Sequence, residues 1–161
     1  MNHKNILFKN FKLNKKTLNT KKILSKLLKE DNKILQSLSA NYSDSYTKKS
    51  LSKYKNFKNI RIIGMGGSSL GTKAIYSFLK HKIKKKFIFF DNLQANRIKN
   101  NKKYLNLIVS KSGNTLETIV NSNIYINKLD KNIFITENKK NYLHILANKL
   151  KSEIVHHNNY I

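Results

Sequence analysis

Short apolar runs separated by longer amphipathic stretches set the rhythm of this chain from about Asn59 onward. "IRII" (60–63) is the first run and leads into "GMGGSSLG". "KFIFFD" (86–91), "LNLIVS" (105–110), "NIFIT" (132–136) and "EIVHH" (153–157) follow. Runs this short, rich in branched and aromatic residues and apolar without alternation, suit strands buried on both faces. Between them apolar residues recur at helical spacing. Leu70, Ala74, Ile75, Phe78 and Leu79 predict one side of a helix over 70–79. Leu116, Ile119, Val120, Ile124 and Ile126 predict a second over 115–129, and 141–150 carries a third. A short helix over 94–100 is more weakly marked. Five strand units joined by helices predict an α/β fold, a three-layer flavodoxin-like sandwich around a five-stranded parallel sheet of order 2-1-3-4-5.

The first 50 residues have another character. They are polar and lysine-rich, and Ile23, Leu24, Leu27, Leu28, Ile34, Leu35 and Leu38 predict one helix over 20–39. "NYSDSYTKKS" then breaks the pattern. The expected organisation is a helical lead-in over 1–50 and an α/β domain over 51–161.

Composition narrows the picture. With 39% hydrophobic residues the chain can bury a core. The absence of cysteine excludes disulfides, zinc ribbons and thiol catalysis. No apolar run approaches the roughly 20 residues of a membrane span, and the N-terminus assembles no signal peptide. A cytoplasmic protein without a membrane partner is expected. The net charge of +25 invites a nucleic-acid reading. Arg61 and Arg97 are the only arginines, however, and the lysines spread from Lys4 to Lys151. Arginine is the usual residue of bidentate phosphate and guanine recognition, so a solvated lysine surface is expected rather than a specific nucleic-acid interface.

Glycine is where chemistry enters. The chain has five glycines and no proline. Four of the five lie in "GMGGSSLG", and Gly113 lies in "SKSGNT". In the predicted order the first and third strands are neighbours, and both glycine segments leave their carboxyl ends, where α/β sheets bind ligands. Glycine lets backbone approach a ligand closely, and amides at a helix start favour an anion by about 0.3–1 kcal/mol per charge. Ser68 and Ser69 add hydroxyls to the first loop. Ser110, Lys111, Ser112, Asn114 and Thr115 crowd the second, and Asn114 is expected to cap the next helix in a capping box with Glu117. Two such cradles suit a ligand with a phosphate at one end and hydroxyls at the other.

Other chemistry is weaker. Gly64, Gly66 and Ser69 approximate a dinucleotide fingerprint, with Asp91 ending the second run. The third glycine of that pattern is a serine here, and a nicotinamide site leaves "SKSGNT" unexplained. His144 reads as a packing residue, and His156 and His157 as solvated, with no carboxylates to complete a metal site.

With both loops in view, the chain resembles the phosphoglucose isomerase (glucose-6-phosphate isomerase) family of the sugar-isomerase (SIS) fold. "GMGGSSLG" is similar to that family's G-I-G-G-S-x-L-G, "SKSGNTLET" to its S-K-S/T-x-T-T-x-E-T, and "FFDN" to the segment after its second strand. The resemblance runs from about Asn59 to the end. It implies that Gly67 and Ser68 contact a hexose 6-phosphate, and that Ser110, Lys111, Ser112, Gly113, Asn114 and Thr115 form its phosphate loop. Asn114 stands where the family usually has threonine, which implies weaker binding there. It also implies no metal or organic cofactor, and a homodimer for full-length members. The family continues from "HHNNYI" into G-G-R-Y/F-S and a second SIS domain carrying the catalytic base. The resemblance thus implies an N-terminal portion with binding loops, no catalytic residue, and little isomerase activity of its own; the alternative that fits the same loops is a non-catalytic SIS module, a sugar-phosphate sensor or regulatory subunit.

Overall fold

The computed structural model describes residues 17–93 and 102–158. They fall into two compact units, one reaching to Tyr42 and one beginning at Ser43. In the first, the single expected helix is two: α1 (Thr17–Leu27) and α2 (Lys33–Gln36). α1 closes in a tight turn, the Lys29 and Glu30 amides bonding back three residues to Lys26 and Leu27. Asn32 then starts α2, its side chain accepting from the Ile34 amide. The apolar spacing runs on through both, but "KEDN" interrupts it. Short polar side chains bond the backbone better at a helix start than inside one.

The second unit opens with α3 (Lys48–Ser52) and continues with β1 (Asn59–Ile63), α4 (Gly67–Leu79), β2 (Lys86–Phe90) and β3 (Leu105–Val109). α5 (Leu116–Tyr125), β4 (Lys131–Glu137), α6 (Tyr142–Lys149) and β5 (Glu153–His157) complete it. The five apolar runs are the five strands. They form one sheet of order β2-β1-β3-β4-β5, every pair parallel. The expected α/β sandwich and strand order hold. The expected helix over 94–100 lies outside the described residues.

Strand alternation divides the core in two. Ile63, Phe90, Ile108 and Phe134 face α5 and α6, packing with Tyr125, Leu143 and Ala147. Ile60, Ile62, Leu105 and Ile133 face the other way, beside Tyr54, Phe57, Phe87 and Phe89. Ile63, Ile108 and Phe134 are wholly buried, each worth about 1.5–3 kcal/mol of burial free energy.

α4 corrects an expectation. Leu70, Ile75 and Phe78 were expected to share its packed side, yet they stand 59%, 62% and 79% exposed. The side turned to the sheet is Ser69, Thr72, Tyr76 and Leu79, with the Tyr76 ring tilted against Phe87 and Phe89 of β2. The helix is oriented by its start on the β1 loop and by this aromatic contact, so its richest apolar stripe points outward. No described helix is long and apolar enough to cross a membrane.

Candidate functional site at the β1 and β3 loops

β1 and β3 are neighbours with Ile63 beside Ile108, so the chain leaves the two strands side by side. α4 then crosses one face of the sheet and α5 the other. The divergence opens a crevice at the carboxyl ends of β1 and β3.

The first loop is shaped by steric limits. A Cβ on Gly64 would stand 2.7 Å from the Val109 carbonyl oxygen and 3.2 Å from Ser68 Cβ. Only glycine lets β1 leave the sheet this close to β3. The Gly64 amide donates to the Phe90 carbonyl of β2. Gly66 takes φ +54° at the start of α4, in the left-handed region. α4 begins at Gly67, three residues before the expected start at Leu70. Gly67 is exposed and Ser68 half-buried at the crevice, while Ser69 is buried with its hydroxyl on the Gly66 carbonyl.

The second loop is shaped by hydrogen bonds. Ser110 is buried, and its hydroxyl receives the Gly113 amide at 3.2 Å and shares a hydrogen bond with the Thr115 hydroxyl at 2.9 Å. Gly113 takes φ +68°. Lys111 and Ser112 are exposed at the lip. The Ser112 hydroxyl accepts from the Asn114 amide, leaving its own proton to donate outward. Of the eight residues named for the site, Gly67 and Ser68 therefore lie in the first turn of α4 and the other six on the second loop. Ser110 and Thr115 brace the second loop from within, and Gly67, Ser68, Lys111, Ser112 and Asn114 line the opening.

One expectation fails here. Asn114 does not cap α5, and no capping box with Glu117 forms. Thr115 is the N-cap of α5, and no side chain caps that helix. Asn114 Oδ1 instead accepts the Tyr142 amide, at the start of α6. Asn114 lies one residue too early to reach back over α5, and the α6 terminus is close enough to take its carbonyl.

Caps separate the helices into two classes. Asn32 caps α2, Thr47 caps α3 and Asn141 caps α6, each through its side chain. α4 and α5 have no side-chain cap. A helix start without a side-chain cap leaves the positive end of its dipole open to an anion; in α4 the Ser68 and Ser69 amides bond back to the Met65 and Gly66 carbonyls, so the open first-turn amides are those of α5. Among the helices whose caps are described, the two uncapped ones are those that open on the crevice.

Two carboxylates near the strand ends are engaged. Lys73 lies 2.8 Å from Asp91, and its hydrogen bond holds that carboxyl below its ordinary value against a smaller opposing effect of burial. Lys139, 2.9 Å from Glu137, does the same there. Asp91 thus serves an ion pair with Lys73. Among the described residues no group of three or more side chains could hold a metal ion.

Sequence reasoning missed Asn141, which is buried and packs against the second loop. Its signal was present: an asparagine just before the apolar periodicity of "YLHILA" is an N-cap candidate. A cavity of about 650 Å³ lies at the other end of the sheet, lined in part by Lys53, Lys128, Lys131, Lys151, Asp130 and Glu153. Its size draws attention, but the ends of α5 and α6 that open there are carboxyl ends, whose dipoles disfavour anions.

The family model described as phosphoglucose isomerase matches residues 8–155. The glucose-6-phosphate isomerase of Borrelia garinii subsp. bavariensis is 45% identical over 90 residues, covering 48% of this chain and 17% of that protein. That of Methanocaldococcus jannaschii is 37% identical over 99 residues, covering 56% and 24%. The chain thus aligns with less than a quarter of each relative's length. A hypothetical protein from Thermus thermophilus, TT0462, superposes with TM-score 0.63 at 18% identity, covering 89% of this chain and 41% of its own. The Vibrio vulnificus NanR protein, solved with ManNAc-6P, superposes with TM-score 0.54 at 21% identity, covering 71% and 44%. Both structures speak to the fold.

Proposed function

The chain belongs to the phosphoglucose isomerase family, and we propose that its two glycine-bearing loops bind a hexose 6-phosphate. The phosphate sits on residues 110–115 and the open first turn of α5. The sugar reaches toward Gly67 and Ser68 at the start of α4. Lys111 supplies a point charge, Ser112 a hydroxyl donor, and the uncapped α5 its first-turn backbone amides. Ser110 and Thr115 hold the loop's shape by bonding each other. The observation that carries this reading is the pairing of two uncapped helix starts at one crevice, while every other helix with a described cap is closed by a side chain.

The parent reaction is the interconversion of glucose 6-phosphate and fructose 6-phosphate through an enediol. Proton transfer between C1 and C2 needs a carboxylate within hydrogen-bond reach. Asp91 and Glu137 are held by Lys73 and Lys139. The reading therefore assigns this chain binding and orientation, not the proton transfer. The helical lead-in and the SIS domain are its two parts, and the second carries the site.

Calorimetric titration of the 161-residue chain with glucose 6-phosphate tests the reading. Saturable binding is expected, weakened about ten- to a hundredfold by Ser112→Ala and by Lys111→Met, the usual scale of one lost hydrogen bond to a charged group. No binding, or binding indifferent to both changes, would overturn it. Fructose 6-phosphate formed by the pure chain and abolished by Ser112→Ala would overturn the assignment of binding without turnover.

A further inference from the structure

The first-turn amides of α6 do not face a ligand. The Tyr142 amide donates to Asn114 Oδ1 at 2.9 Å, the Leu143 amide to the Gly113 carbonyl at 3.1 Å, and the His144 amide to Asn141 Oδ1 at 2.8 Å. Two of the three are thus closed by the second loop itself. The same loop is held from β4. The Glu137 amide and the Thr136 hydroxyl both donate to the Lys111 carbonyl, at 3.0 and 3.3 Å. Asn141 joins the two supports. Its Nδ2 donates to the Thr136 hydroxyl at 3.1 Å while its Oδ1 caps α6. Its side-chain amide also fills the space where a Cβ on Gly113 would lie. Both residues are buried.

We propose that Asn141 is a positioning residue for the phosphate loop, holding Gly113 in its left-handed turn so that the Lys111–Asn114 backbone presents one fixed cradle. This rests on the binding assigned above to that loop. A helix cap alone needs only an acceptor, which serine supplies as well as asparagine. The amide group is the added part: it bridges to Thr136, and it backs Gly113. A cradle held within a fraction of an ångström binds far better than one free to relax.

Asn141→Ser separates the two roles because it keeps the cap and removes the amide. The variant should melt close to the wild-type temperature yet bind glucose 6-phosphate about tenfold more weakly, the order of loss for a loosened contact shell. Unchanged affinity would overturn the proposal. A ligand-free measurement decides the contact independently. Gly113→Ala should lower the melting temperature much less in the Asn141→Ser background than in the wild type, because part of its cost is the collision with Asn141. Equal losses in the two backgrounds would overturn the proposal even if no sugar phosphate bound. A wild-type chain that fails to bind glucose 6-phosphate while the coupling persists overturns the binding reading and upholds the role of Asn141. If Asn141→Ser does not fold, Thr136→Val breaks the same bridge, and unchanged affinity in that variant would overturn the proposal.

Discussion

The two ends of one sheet handle polar groups in opposite ways. At the amino end a row of polar side chains crosses the sheet in register, Arg61 beside Asn106 and Asn106 beside Asn132. Arg61 is 4% exposed and Asp130 7%, and they pair at 3.0 Å. Arg61 also donates to the Tyr125 carbonyl near the end of α5 and stacks over Tyr104 at 3.7 Å. Asp130 receives the Tyr104 and Asn127 amides and the Asn106 side chain. At the carboxyl end two helix starts are left without caps, and glycine keeps side chains out of the way. A polar group that must be buried is satisfied internally, because an unpaired one costs about 1–3 kcal/mol. A polar group meant for a ligand is left open and has only its geometry fixed. The amino end is thus built for stability, and the carboxyl end is left open for the binding proposed above.

Asp130→Ala puts the greatest strain on that contrast. It strands a buried guanidinium and should cost about 3–5 kcal/mol in urea unfolding, with glucose 6-phosphate affinity retained by whatever remains folded. A loss below about 1 kcal/mol, the scale of an exposed pair, would erase the contrast. Gly64→Ala comes next, at the other end. Its new Cβ meets the Val109 carbonyl, so it should cost about 1–3 kcal/mol and weaken sugar-phosphate binding as well. Full affinity in this variant would mean that the first loop need not approach β3 so closely.

Lys151→Gly is a smaller effect, and opposite in sign. Lys151 takes φ +51° just past α6, with its amide bonded to Asn148 and that of Ser152 to Ala147. This helix-ending turn favours glycine, so the change should stabilise the chain by about 1 kcal/mol or less and leave binding untouched. A fall in melting temperature would show that the lysine side chain contributes more than its backbone costs.

The smallest effect is on pH dependence, and it sets one end against the other. Asp91 lies at the carboxyl end, and its carboxyl sits below 3.8 through Lys73. Glu153 lies at the amino end. Burial raises its pKa, but hydrogen bonds from Lys53 and Tyr54 together outweigh that and hold it below 4.5. Folding lowers both values, so each contributes stability that is complete above the ordinary carboxylate range and lost as pH falls through the folded value. Melting temperatures of Asp91→Asn and Glu153→Gln should lie below wild type near neutral pH and converge on it in acid. A gap that persists in acid would show that the losses are not electrostatic.

Much of this was legible in the chain. Short unbroken apolar runs separated by helical periods determine buried parallel strands and their crossovers, because hydrogen bonding and burial leave such runs few alternatives. Glycines gathered at two strand ends, in a chain with so few, likewise marked the crevice and the family. The tertiary structure decided what depends on residues far apart in sequence. Arg61 inside "IRII" read as one polar residue in an apolar run, and only the fold brought Asp130 to it. The stripe Leu70, Ile75 and Phe78 has a helical period, but a period does not say which side meets the sheet; Tyr76 and β2 decided that. Asn114 looked in the sequence like the cap of α5, but the helix starts one residue later, from Thr115, and the arrival of α6 took the Asn114 carbonyl for the Tyr142 amide. Local pattern selects an element because its hydrogen bonds close over a few residues. Which side chain answers which backbone group across the sheet is set by the packing of the whole domain, and no local spacing records it.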